Sequence, residues 1–441
     1  MTTTGQPSRP ADGARRRVAV VGGHSHSVMS ALDLGLDVVL VHVPGMYEEM
    51  LHDYCEKIVH ADLSDAQSLL DVLRPLHEER PFERVLTTSE AGAVPTAVVV
   101  EELGLPGNSV AAVRALYDKA LTREALRRAG VGPVRHRVVD GADSLQAFRA
   151  DVGGRIVVKP VDGTASADVH IIDTEEQAAA AWRALDAAGY RRAIAEEFLD
   201  GPVISVESFS SEGRHLPVAL MTSVLDEHLV EMEHSIPGAY GAEWRQELHA
   251  QTVALLDEVG LLEGPTHTEF ILTAEGPRML ESHSRMGGGG TPSLLRRAHG
   301  MDFSRMFLSV PLGIEELPKE APEATRAGHI RFFAPQPGVI TGFDGIEELT
   351  ASGVEIRRAP VGAALPGVPG LVELSGAETG VMLQMNVGDT VPAIRAGWDR
   401  AMGYVITTGA NSADAARRCA DVDAALRFRT SPQGDTPPVT A

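Results

Sequence analysis

The stretch Thr266–Thr291, THTEFILTAEGPRMLESHSRMGGGGT, reads as two short strands, Thr268–Leu272 and Arg278–Ser282, around the turn Thr273-Ala274-Glu275-Gly276-Pro277. A hairpin centred on Glu275 sets Glu269 opposite Glu281 and His267 opposite His283, because the members of each pair are equidistant from the centre. All four carry odd numbers, so strand alternation puts them on one face, and Phe270, Leu272 and Leu280 take the other, the core. Two carboxylates facing each other repel unless a cation lies between them, and hard oxygen ligands suit Mg²⁺. Arg285 and the run Gly287–Gly290 follow, giving an anion clamp and a backbone that a ligand can approach closely. The pattern points to a metal–phosphate site; the alternative is a surface hairpin with solvated glutamates and a flexible glycine loop.

The chain has 441 residues, enough for roughly two to four domains. Its 44% hydrophobic and 23% charged residues are ordinary for a globular protein. A net charge of −22 argues against a nucleic-acid surface and against anionic membranes, so a phosphate ligand needs a local basic pocket and a metal. Cys55 and Cys419 are too few for a disulfide framework or a structural zinc site. No apolar run approaches the ~20 residues of a membrane span, and MTTTGQPSRPADGARRR has no hydrophobic core for a signal peptide, so a cytoplasmic protein is expected.

In chain order, residues 1–14 and 430–441 are expected to be disordered tails. Arg17–Val21, the turn Gly22–Ser27, a helix over Val28–Leu34 and strands at Asp37–Val43 and Val85–Thr88 predict a doubly wound parallel sheet over 15–112. Gly22-Gly23 lacks the spacing of a dinucleotide fingerprint, and His24 and His26 read as turn residues. One helix is expected from Ser109 to Gly130, with Lys119 and Arg123 on one face beside Asp118. Lys159 sits inside the apolar strand Ile156–Pro160, where an ammonium is costly unless it meets an anion, and the small-residue loop 162–168 follows. Further strands are expected at Ala193–Leu199, Val203–Ser208 and Val218–Thr222, then a substrate-covering loop over Glu231–Tyr240 and a helix over Glu243–Val259. Beyond Pro322 come short strands at His329–Phe333, Val354–Arg358, Gly380–Met385 and Gly403–Thr407 and a helix over Asp414–Phe428.

The ordered set of Lys119, Lys159, the small-residue loop, EEFLDGP (196–202), Glu269 before Phe270, and Glu281 four residues before Arg285 and the glycines resembles the ATP-grasp superfamily of carboxylate–amine ligases. QPGVITGFDGIEEL (336–349) and GYVITTGANSADAARR (403–418) are similar to the C-terminal lid domain of its branch containing bacterial L-amino-acid ligases and, further off, biotin carboxylase. The resemblance runs from Val18 to Phe428 and implies an α/β ATP-grasp fold: an N-terminal domain over 15–112, a two-part ATP-grasp domain over 113–321 with a lid subdomain over 154–200, and a C-terminal domain over 322–429. It implies ATP with Mg²⁺ or Mn²⁺, amino acid or peptide substrates, and a homodimer. By resemblance, Lys119 and Lys159 contact the nucleotide phosphates. Residues 163–168, including Gly163, Thr164 and Ser166, cover them. Glu196, Glu197, Phe198 and Leu199 form the adenine hinge, Glu269 and Glu281 hold the metal, and Arg285 steadies the transferred phosphoryl group. The family's Asn after the second metal carboxylate is His283 here, a candidate metal ligand or phosphate partner. Its ribose-binding acid is Val203, with Glu207 as the candidate substitute. Met232, His234, Tyr240, Gly287 and Gly288 are expected to border the substrate. The expected reaction is ATP-dependent joining of a carboxylic acid to an amine; a purine-pathway or biotin-carboxylase-like ligase, a metal-dependent hydrolase and a nucleotide-binding regulator are the alternatives.

Overall fold

The computed structural model of the chain describes residues 15–163, 167–359, 374, 376–400 and 402–431. Thr164, Ser166 and the segments 1–14 and 432–441 lie outside the described residues. The fold is mixed α/β. Its N-terminal part is a parallel sheet with the order Lys57–His60, Asp37–His42, Arg17–Val21, Arg84–Thr87. Both faces are buried, as a parallel sheet requires: Ala19, Val21, Val39 and Val41 pack with Leu69 and Leu73 of the Ala66–Glu79 helix. Val18, Val20, Val38 and Leu40 pack with Val28 and Ala31, and with Phe307 and Leu308 from the far side of the chain. That last contact seats the N-terminal sheet on the rest of the molecule.

The helix expected from Ser109 to Gly130 is two helices, Val110–Tyr117 and Lys119–Ala129. Asp118 breaks it: its extended backbone (φ −85°, ψ 112°) lets the carboxylate accept from the amides of Ala120 and Leu121 as an N-cap. Lys119 therefore opens a helix instead of lying midway along one, and its N–H donates to the Val161 carbonyl at 2.8 Å. A four-stranded antiparallel sheet follows, in the order His136–Val139, Ala193–Glu197, Ile156–Pro160, His170–Ile172. The helices Ala142–Val152 and Glu175–Ala187 cover it through Leu145, Phe148, Ala178, Ala181 and Leu185.

The remaining frame is a nine-stranded sheet in the order Gly276–His283, Gly264–Thr273, Val203–Ser211, Arg214–Leu225, Glu231–Ile236, Ala327–Phe332, Gly403–Gly409, Thr379–Leu383, Glu355–Arg358. It runs across the boundary expected at residue 322, because Ser235 pairs with His329. The loop expected over Glu231–Tyr240 is therefore a strand as far as Ile236. Its mixed charges mislead, since Glu233 is matched within the sheet by His329 Nε2 at 3.1 Å and Arg331 Nη2 at 2.5 Å. At the C-terminal end the helix stops at Ala425 instead of Phe428, and Arg427–Ser431 is a strand paired with Gly338–Asp344. Thr430 and Ser431 thus belong to the fold and not to a tail. No helix among the described residues is long and apolar enough to cross a membrane.

In the hairpin of the opening stretch, Thr273 pairs with Gly276 around a two-residue turn, and a register shift between Glu269 and Phe270 follows. The shift sets Glu269 against Glu281 and His267 against His283. It also replaces Leu280 in the core: Met279 faces Phe270 and both are fully buried, whereas Leu280 lines a cavity. The link from the four-stranded sheet to the hairpin's neighbour passes through Gly201 (φ +154°), where a Cβ would collide with the Leu272 carbonyl oxygen. Gly201→Ala is expected to destabilise by about 1–3 kcal/mol, read as a lower melting temperature by circular dichroism; an unchanged melt would show that the turn yields freely.

Candidate active site

A cavity of about 860 Å³ lies where the N-terminal sheet, the four-stranded sheet and the nine-stranded sheet meet. The hairpin face carrying Glu269, Glu281 and His283 forms its floor, and the three residues bring ligand atoms within 4.8 Å of one another. Cations gather around the paired carboxylates. Lys119 Nζ lies 3.1 Å from Glu281 and donates to the Gly163 carbonyl at 2.7 Å. Burial works against the Lys119 charge, but Glu281 outweighs it and raises the pKa. On the other carboxylate, His267 Nε2 lies 3.0 Å from Glu269 while its Nδ1 lies 2.6 Å from Glu207. Burial opposes an imidazolium there, yet Glu207 and Glu269 raise the His267 pKa well above its ordinary value.

The two carboxylates are not equivalent. Burial pushes Glu281 up, but Lys119 and His283 hold it well below the usual carboxylate range. Burial and then the Glu281 charge push Glu269 up, and His267 only partly offsets them. His283 is gripped from both sides, Nε2 at 3.1 Å from Glu281 and Nδ1 at 2.7 Å from Glu90. Glu90 also accepts from Arg285 Nε. Despite burial, Glu90 and Glu281 raise the His283 pKa. Glu90 went unread in the sequence. Its signal is Thr88-Ser89-Glu90 just past the carboxyl end of a parallel strand, the edge at which open α/β sheets bind ligands.

Lys159 lines the cavity and finds its anion in Glu196, 3.0 Å away and fully buried. Arg123 donates to the same carboxylate, to Met279 O at 2.6 Å and to Leu280 O at 3.0 Å, tying the four-stranded sheet to the hairpin. Gly163, Glu196, Glu197, Phe198, Leu199, Gly287 and Gly288 also line the cavity. Four expected contacts are displaced. Glu207 is fully buried behind Glu269, where His267 and Ser205 Oγ (2.8 Å) occupy its Oε1, so it does not reach the cavity as a ribose acid. Met232 faces a second cavity of about 530 Å³, on the far side of strand alternation from Glu231. Tyr240 spends its hydroxyl on the Val203 and Ser223 carbonyls, at 3.0 and 3.3 Å. His234 is 1% exposed, bonds Ser223 Oγ through Nδ1 at 3.0 Å, and packs behind Gly289, whose left-handed backbone (φ +59°) leaves no room for a Cβ against the ring.

Three family profiles match the chain: ATP-grasp N-terminal domain over residues 28–107, ATP-grasp domain over 153–293 and L-amino acid ligase C-terminal domain 2 over 367–431. With the sheet arrangement and cavity above, they show that the chain carries an ATP-grasp N-terminal domain and an ATP-grasp domain. Its C-terminal segment, residues 367–431, is similar to the L-amino acid ligase C-terminal domain 2. The chain is 25% identical over 254 residues to alanine–anticapsin ligase of Bacillus subtilis (strain 168), covering 52% of this chain and 53% of that protein. It is 26% identical over 225 residues to D-alanine–D-alanine ligase of Pseudomonas entomophila (strain L48), covering 48% of this chain and 69% of that protein. The chain thus spans about half the length of the first of these curated relatives. The crystal structure of L-amino acid ligase from Bacillus licheniformis shares its fold with a TM-score of 0.75 at 21% identity, over 95% of this chain and all of that one.

Two consequences are measurable. Glu269→Gln is expected to raise the melting temperature at pH 7 without ligands, because a raised carboxyl pKa means that its charge is disfavoured there. Glu281→Gln is expected to lower it by removing the partner of Lys119 and His283; equal shifts in both variants would contradict the asymmetry.

Burial pushes the Glu196 carboxyl up, but Arg123 and Lys159 hold it at about 2, below its ordinary 4.5. Its contribution to stability is therefore complete above pH 4.5 and lost as the pH falls through 2. Melting temperatures of Glu196→Gln between those values should be flatter with pH than wild type; parallel curves would rule the ion pair out as an acid-labile tie.

Proposed function

We propose that the protein is an ADP-forming ligase that activates a carboxylic acid, an amino acid or a relative, with ATP and joins it to the amine of an amino acid or peptide. The observation that supports this reading best is the convergence in one cavity of a buried carboxylate pair, Lys119, Lys159, His283 and Arg285. Two opposed carboxylates, one of them with a raised pKa, suit a hard divalent cation, so Glu269 and Glu281 would hold Mg²⁺ or Mn²⁺. When bound, that ion supplies charge neutralisation to the phosphates.

The chain's own residues do the rest. Lys119 and Lys159 take phosphate oxygens, exchanging part of their hold on Glu281 and Glu196. Gly163, whose carbonyl accepts from Lys119 Nζ, lines the cavity beside the phosphate position. The backbone of Glu197 and Leu199 reads the base from the rim of the four-stranded sheet. Arg285, oriented by Glu90, meets the phosphoryl group in transit, and His283, held between Glu90 and Glu281, adds a second polar partner beside it. A substrate carboxylate oxygen attacks the γ-phosphorus and the bond to ADP breaks, leaving an acyl phosphate. The amine nitrogen then attacks the acyl carbon, loses a proton, and inorganic phosphate departs with the bonding electrons. Gly287 and Gly288 let both partners approach the backbone.

Phosphate release measured over pairs of acids and amines tests this directly. ADP and phosphate are expected only when both partners are present. ATP-independent turnover would favour a hydrolase, and nucleotide binding without turnover a regulatory protein. Lys119→Ala is expected to lower kcat by on the order of 10²–10³-fold; turnover within a few-fold of wild type would remove Lys119 from the reaction.

A further inference from the structure

The cations that line the main cavity are matched almost one by one. Lys119 pairs with Glu281, Lys159 with Glu196, Arg285 with Glu90 and Arg296 with Asp302. Arg400 is different. It ends the short turn Gly397–Arg400 in the C-terminal region and reaches the cavity wall beside Glu231. Nε donates to the Gly397 carbonyl at 3.0 Å, Nη1 donates to the Glu231 carbonyl, and the guanidinium lies 4.4 Å from the Phe332 ring centroid.

These contacts fix the plane of the fork without neutralising it. Among the described residues no carboxylate forms an ion pair with Arg400. Burial lowers its pKa, and the Glu231 charge, acting from beyond ion-pair distance, only partly opposes this. A guanidinium does not shed its proton in a protein, so burial leaves a charge whose neighbouring carboxylate, Glu231, lies beyond ion-pair distance. A planar, pre-oriented fork of this kind matches a carboxylate.

Building on the ligase reading, in which the phosphates and the reacting carboxylate lie at Lys119, Lys159 and Arg285, we propose that Arg400 receives a second substrate carboxylate, one that is not phosphorylated. That group has two sources. It is either the side chain of a dicarboxylic acid undergoing activation or the α-carboxylate of the accepting amino acid. The C-terminal region thereby takes part in substrate selection, with Glu231 beside Arg400 as the complementary charge for a substrate ammonium.

The experiment uses the full-length protein with Mg²⁺ and a non-hydrolysable ATP analogue, and isothermal titration with two sets of probes. One compares L-glutamate and L-aspartate with L-glutamine and L-asparagine, which reads the activated-acid source. The other compares the standard amino acids with their α-amides in the presence of a bound acid, which reads the acceptor source. Wild type is expected to prefer the anionic member in one arm by about 10- to 100-fold, the worth of a hydrogen-bonded charge. Arg400→Gln should abolish that preference, and Arg400→Lys should retain part of it, with melting temperatures confirming the folded state. No preference in either arm, or a preference that survives Arg400→Gln undiminished, overturns the assignment. An Arg400-dependent preference with no phosphate release for any pair would instead leave the anion site standing and remove the ligase reading.

Discussion

Glu269 and Glu281 face each other across a hairpin inside the protein, and the rest of the site answers that repulsion. Two like charges about 4 Å apart at an effective dielectric of about 20 repel by about 4 kcal/mol, a large fraction of a domain's stability. The chain meets it with Lys119 at a helix start, His267 braced by Glu207, and His283 braced by Glu90. Each cation comes from or leans on a different element, so the pair also locks the N-terminal sheet and the helix pair onto the nine-stranded sheet. The result is uneven: Lys119 and His283 hold Glu281 well below the usual carboxylate range, while burial and the Glu281 charge push Glu269 up, which a nearby cation would offset.

Much of this was legible in the sequence, though in part for a compensating reason. Symmetry about Glu275 pairs Glu269 with Glu281 only because the register shift at Leu280 makes up for a turn that closes one residue earlier, at Thr273 and Gly276. The same shift exchanged Met279 for Leu280 in the core, which alternation alone does not foresee. Lys159 in an apolar strand correctly demanded an anion, but the partner it found, Glu196, lies on the neighbouring strand of the same sheet. Glu90 stayed hidden because its importance comes from a contact 195 residues away in sequence, to Arg285. Arg400 gave no local signal at all: a single arginine after a tryptophan and an aspartate acquires meaning only when the sheet brings it to Glu231.

The substrate-bordering residues show where local reading fails. Met232 and His234 lie on a central strand, Glu231–Ile236, whose neighbours fix what each side chain meets, and Tyr240 lies just beyond it with its hydroxyl held by the Val203 and Ser223 carbonyls. Continuity of that sheet from the hairpin through Glu231–Ile236 to Gly403–Gly409 also explains how a residue of the C-terminal region enters a cavity built by the ATP-grasp domain. A boundary at residue 322 falls within this sheet, whose hydrogen-bonded strands continue across it.

The account turns on a substrate carboxylate attacking the terminal phosphate of ATP. Running the reaction with an acid substrate labelled with ¹⁸O in its carboxylate, and analysing the released phosphate by mass spectrometry, follows that bond directly. Transfer of one labelled oxygen into each phosphate is the expected result, because the carboxylate oxygen leaves with phosphorus when the amine displaces it. Phosphate carrying oxygen from solvent water and none from the acid would contradict it.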